Sequence, residues 1–143
     1  MKNKIHMLAG LLATLCIATF FVSTVFVEIF ASHEAIATVK SLIVNPGLFI
    51  LIPAIAATGG TGFSLAKTRK SKLIKSKQKR MPFIAINGIV ILIPCAIFLD
   101  QWARAGQFDG TFYFVQALEL IAGATNLSLM ALNIRDGLRM TAN

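Results

Sequence analysis

Acidic residues are scarce in this chain. Six Asp and Glu stand against fourteen Lys and Arg in 143 residues, and charged residues of both signs make up only 14%. So little charge cannot solvate a globular surface, and with 56% hydrophobic residues the composition lies outside that of soluble domains. The two cysteines, Cys16 and Cys95, fall inside apolar runs with no C-x-x-C or Cys/His spacing, so they read as small apolar residues and neither a disulfide nor a thiolate metal site is expected. The basic stretch "KTRKSKLIKSKQKR", residues 67–80, has no aromatic residue interleaved. Stacking on bases is therefore excluded, and no nucleic-acid partner is expected. The glycine cluster "AATGGTGF", residues 56–63, lacks the Gly-Lys-Ser/Thr ending of a phosphate loop.

What the chain has in quantity is uninterrupted apolar sequence. Residues 5–27, 41–66 and 81–99 carry no Asp, Glu, Lys or Arg, and residues 110–134 carry Glu119 alone. A hydrocarbon core of about 30 Å needs roughly 20 helical residues, so each run is long enough to cross it. Period-2 alternation is absent and the runs are about twice the length of a barrel strand. The expected fold is all-α: a polytopic membrane protein with a single domain over 1–143, a four-transmembrane-helix bundle with helices at about 5–30, 41–66, 81–103 and 110–135 and a basic loop at 67–80. The opening "MKNK" and the small-x-small triplet Ala35-Ile36-Ala37 imitate a signal peptide, but the apolar part is too long and Glu28, His33 and Glu34 intervene, so the first helix is read as retained.

Orientation follows from the basic residues. Residues 67–80 hold eight of the fourteen Lys and Arg, Lys2 and Lys4 precede the first span, and Arg135 and Arg139 follow the fourth, which leaves Lys40 and Arg104 for the opposite side. The positive-inside rule then makes both termini and the central loop cytoplasmic, in a bacterial inner membrane, with the lipid bilayer as the principal partner. Lipid contact at the leaflet surface and topology are the expected roles of the basic loop.

The fourth span is the most informative. Gln116, Glu119, Gly123, Asn126, Met130 and Asn133 follow one another at spacings of three and four and so share a face, which must point into the bundle. A charge at mid-helix costs about 2.5–3.5 kcal/mol on insertion scales, so Glu119 is expected to be protonated or paired. Gln116, Thr14, Thr19 and the Val90 carbonyl, freed by Pro94, are its candidate partners. Depth counting at 1.5 Å per residue puts Asn87 about 9 Å and Asn126 about 12 Å from the inner surface, so the two amides are expected to meet. The stripe serves either as polar glue between helices or as a proton site centred on Glu119. In the second span, Asn45 and Pro46 are read as a helix start near the outer surface, and Pro53 as a kink above the glycine cluster.

His6 opens the first span and His33 lies beyond its end. A continuous helix would hold them about 40 Å apart, too far to share one iron. A basic residue before a histidine that opens helix 1, as in "KIHMLAG", followed by "NPGLFILIPAIAATGG" and a basic cytoplasmic loop, resembles the small bacterial membrane proteins of the copper-resistance-D-like and bacterial protoporphyrinogen-oxidase-like group. The resemblance covers about the first 80 residues. It implies haem b as a cofactor with His6 as an iron ligand. Gly59, Gly60 and Gly62, at the level of His6, are then the close-approach wall, with Asn126 as a polar contact. The third and fourth spans lack histidine, so Met130 or a histidine from a second chain would have to supply the other axial position, and propionates would be left to Arg80, Arg135 and the loop lysines. Two functions from different classes follow: a haem-, tetrapyrrole- or quinone-linked redox protein with Glu119 as proton site, or a non-catalytic subunit or assembly factor that joins a homo-oligomer or a larger membrane complex. A small proton-coupled transporter is a third. Without a ligand, Ala56, Gly60 and Ser64 form a small-x-x-x-small row suited to close helix packing.

Overall fold

The computed structural model describes residues 1–67 and 72–142. Among them the order is α1 (Lys2–Phe30), α2 (His33–Leu42), a π-helical segment Ile43–Leu48, α3 (Phe49–Ala66), α4 (Lys72–Asn87), a second π-helical segment Gly88–Leu92, α5 (Ile93–Arg104) and α6 (Gly110–Ala142). Four continuous stretches, Asn3–Phe30, His33–Leu65, Lys79–Arg104 and Gly110–Arg139, are long and apolar enough to cross a membrane. The bundle is inverted relative to a soluble protein. Asn126, Lys40, Thr24 and Asp136 are at most 1% exposed, whereas Phe30, Phe49 and Phe114 are more than 70% exposed. Polar groups clustered inside and large apolar side chains outside are the distribution suited to hydrocarbon surroundings, where polar groups find partners only within the bundle.

Three expected boundaries move. The second span begins at His33 rather than near 41: Ser32 caps it by accepting a hydrogen bond from the Ala35 amide at 3.3 Å, and Glu34 sits in the first turn. The helical path is broken at Asn45, whose φ −140°, ψ 111° is extended, and Pro46 follows it through a cis peptide bond. Pro53 lies inside α3, where it leaves the Phe49 carbonyl without its helical donor. The basic stretch is not a loop over its length. Residues 68–71 lie outside the described residues, but α4 already runs from Lys72, since Lys and Gln are good helix formers and no proline intervenes before Pro82. The fourth helix likewise continues past 135 to Ala142.

The second π-helical segment has a direct cause. Pro94 has no amide to give the Val90 carbonyl, and the helix widens over Gly88–Leu92 just before it. This moves Gly88 against α6, where a Cβ would lie 3.7 Å from the Asn126 amide nitrogen.

At the end of the bundle away from the termini the α5–α6 corner is closed by two caps. Gly106 takes φ +74°, its amide donates to Ala103 O at 3.1 Å and the Gln107 amide to Trp102 O at 2.8 Å, the paired bonds of a Schellman motif. Asp109 then caps α6, accepting from the Phe112 amide at 3.0 Å and from Gln107 Nε2 at 3.0 Å. The Phe112 amide, and after it Gln107, hold the Asp109 carboxyl below the usual carboxylate range. A carboxylate with a depressed pKa adds stability that is complete above the ordinary carboxylate range and is lost as pH falls through its own lower value. Hydrogen exchange at the Phe112 amide is expected to keep its protection down through pH 4 and lose it at lower pH, and to be unprotected at every pH in Asp109→Ala; protection indifferent to both changes would contradict the cap.

Candidate functional site: a buried charge cluster above an apolar cavity

The polar stripe of α6 faces inward as its spacing requires. Gln116, Gly123, Asn126, Met130 and Asn133 are buried and Glu119 is nearly so, at 13% exposure; the row ends outward on fully buried Phe112 and extends inward to Asp136. The stripe meets its partners at three depths. At mid-bundle Asn87 Nδ2 donates to Asn126 Oδ1 at 2.8 Å and to Ala122 O at 2.9 Å, while Asn126 Nδ2 reaches Ile84 O at 3.3 Å. The two amides meet, as the depth count expects. At the inner end Arg80 Nη1 binds Asp136 Oδ2 at 2.6 Å and Asn133 Oδ1 at 3.2 Å, and Arg135 closes on Asp136 from its exposed side. Asp136 sits on the same face as the stripe, one turn below Asn133.

The third depth holds the residue that the charge map misplaces. Lys40 is not an outer-surface charge: it is 1% exposed, and its Nζ lies 3.1 Å from Glu119 Oε1. Gln116 Nε2 donates to the same oxygen at 3.1 Å. Thr14 and Thr19, expected near Glu119, instead return their hydroxyls to the Gly10 and Leu15 carbonyls of their own helix, and the Val90 carbonyl is not used. Buried, Lys40 falls within the second span, so that span does contain a basic side chain. The signal was present in "SHEAIATVK": after the Ser32 cap, Ile36 and Lys40 are four apart on one face, and both are buried. Glu28, near the end of α1, completes the cluster, with Lys40, Glu119 and His33 as the charges it faces. Beside it, Ser41 donates to Asp100 Oδ1 at 2.7 Å and Arg104 pairs with Asp100 Oδ2 at 2.8 Å.

Directly below lies a cavity of about 210 Å³ between α1, α3, the Gly88–Leu92 segment and α6. Its wall is aliphatic and aromatic, and its polar members are Thr24, Glu119 and Asn126. Exposed Ile52 and Ala56 on one side and Ile89 on the other form a lateral mouth. Ligand sites of this form place a few polar groups at one point of an apolar wall.

His6 and the glycine cluster lie elsewhere. His6 Nδ1 is 3.1 Å from both Thr58 O and Thr61 Oγ1, and a Cβ at Gly62 would approach His6 Cε1 to 2.9 Å. The space expected to receive a planar cofactor at Gly62 is thus taken by the imidazole itself. Gly59 and Gly60 have nothing within 4 Å of a Cβ, and Gly60 is exposed. Met130 is packed in the apolar core with Ala13, Ala54 and Ile84. The structure therefore brings Glu119 and Asn126 to one cavity and leaves His6, Gly59, Gly60 and Gly62 outside it. An apolar cavity of about 150 Å³ holds one benzene, so 210 Å³ accommodates a single substituted ring. Among the described residues no group of three His, Cys, Asp or Glu could hold a metal ion.

No family model, curated protein or solved structure matches the chain.

Proposed function

We propose that the chain is an integral protein of a bacterial inner membrane, with both termini and the basic Lys67–Arg80 segment on the cytoplasmic side, that takes the ring of a membrane-dissolved amphipathic molecule into its interior. Burial of Lys40 strengthens the orientation, since it leaves Arg104 as the only basic residue assigned to the outer side. The ligand is a single ring with oxygen substituents and an apolar tail, the chemistry of a quinone or a long-chain phenol. The observation that carries this reading is the cavity: apolar on its walls, sized for one ring, open sideways between Ile52 and Ile89, and ending on the Glu119 carboxylate. The ring enters from lipid without crossing water, the tail stays in the mouth, Asn126 and Thr24 offer donors to its oxygens, and the Glu119 carboxylate accepts from a ring hydroxyl. Lys40 and Gln116 hold Glu119 in place for that contact.

A thermal-shift titration in detergent with a short-tailed quinone tests it. A ligand that binds only the folded state at 100 times its Kd stabilises by about 2.7 kcal/mol, and Ala85→Phe, which fills the wall from α4, is expected to abolish the shift while the unliganded melting point stays near that of the wild type. No shift with quinones or phenols in the wild type sinks the proposal. A Soret band that disappears in His6→Ala would instead support haem at the inner end.

A further inference from the structure

Lys40 and Glu119 pair at 3.1 Å, and Glu28 stands one turn along α1 from Thr24, which lines the same cavity as Glu119, so that three helices bring these charges to one level of the bundle. Their formal charges sum to minus one if all are ionised. A net charge in so apolar a place is costly: among the described residues Arg104, the basic side chain on α5, is committed to Asp100, and His33, which also faces Glu28, is exposed and stacked on Phe108. Every charged or titratable group that faces the cluster is accounted for. Glu28 comes from α1, His33 and Lys40 from α2, Cys95 and the Ser41-bound and Arg104-bound Asp100 from α5, and Glu119 from α6, while the cavity wall contributed by α3 and the Gly88–Leu92 segment is apolar.

A second observation points the same way. Two buried side-chain oxygens in the described residues have no hydrogen-bond partner, Glu28 Oε1 and Gln116 Oε1. Gln116 is 3% exposed, and its amide orientation is set by the bond its nitrogen gives to Glu119. Both orphans are acceptors. Carboxylates are acceptor-only when ionised and gain one donor when protonated, so one added proton supplies the donor that the cluster lacks and removes the surplus charge in the same step.

We infer that Glu28, Lys40, Glu119 and Gln116 form a proton-binding site that holds one proton shared between the two carboxyls at neutral pH. The step is R–COO⁻ plus H⁺ giving R–COOH, with Lys40 remaining an ammonium. A proton fits better than a metal cation, because an ion such as sodium would have to sit beside the Lys40 ammonium and would need more oxygen ligands than the two orphans provide. Removing either acid leaves a neutral Lys–Glu pair that needs no proton.

Infrared spectroscopy of the ligand-free protein tests this without any quinone, so the site stands or falls independently of the ring-binding reading. The expected result at neutral pH is a carboxylic-acid C=O band that moves on ¹³C-glutamate labelling, is lost completely in Glu28→Gln and in Glu119→Gln, and survives in Glu34→Gln. Gln is the neutral isostere of a protonated Glu, so Glu28→Gln is expected to accumulate as folded protein and to decide the question even if Glu119→Gln does not fold. Absence of the band in the wild type, its persistence in Glu28→Gln, or its disappearance on adding sodium at constant pH would each overturn the proposal.

Discussion

Lys40→Met is expected to be among the most destabilising substitutions in the chain, lowering stability by about 3–5 kcal/mol, the cost seen when one partner of a buried ion pair is removed and the other is left behind. The Lys40 side chain is 1% and Glu119 13% exposed, so neither can recover solvent by a rotamer change. The remaining carboxyls would have to take up protons, and the pair term would vanish. The double variant Lys40→Met with Glu119→Gln removes both charges of the contact, and is expected to recover most of the loss, because a buried pair replaced as a unit is close to neutral. Unfolding in mixed micelles, read by helical circular dichroism, gives both numbers. If Lys40→Met alone is as stable as the wild type, the ion pair does not hold α2 to α6.

The second large effect is expected at Asn126, which is fully buried and bonded on both sides. Asn126→Leu leaves Asn87 with the Ala122 carbonyl alone and places a bulkier apolar group beside Gly88. Loss of a partner in a buried place costs about 1–3 kcal/mol. The coupling energy between Asn87 and Asn126 is a different quantity and is expected to be smaller, since interhelical hydrogen bonds in membrane proteins average about 0.6 kcal/mol in double-mutant cycles. A cycle with Asn87→Leu therefore should show a double loss that falls short of the sum of the single losses by about 0.6 kcal/mol. Fully additive losses in that cycle would mean that the two amides act separately.

These expectations rest on contacts that the sequence discloses unevenly. The four long helices are legible because apolar runs of that length have few other uses, and the inward face of α6 is legible because spacings of three and four select one side of a helix. The Asn87–Asn126 contact follows from nothing more than rise per residue. Lys40 is hidden by the same logic that finds the spans, since a charge flanking an apolar run is read as its boundary. Only the Ser32 cap and the Ile36–Lys40 spacing show that the helix has already begun. Proline is an equally local signal with a non-local outcome. Pro46 and Pro53 both lack an amide, yet the residue with extended backbone is Asn45, before Pro46, while Pro53 is held inside α3. The glycine cluster misleads for a third reason: a gap in a helix surface does not say what fills it, and here the filler at Gly62 comes from α1 of the same chain.

That fit has a consequence for how α1 and α3 stay aligned. Gly10 on α1 lies against Thr58 of α3, and Ala13 is buried in the same core as Leu51 and Ala54. One residue of slippage moves a helix by about 1.5 Å and turns it through about 100°, enough to lift the imidazole out of the notch at Gly62 and away from Thr58 and Thr61. The ring acts as a dowel that ties the two helices in one register. Positions 6 and 62 therefore behave as a single choice, in which a larger group at one is compatible only with a smaller group at the other.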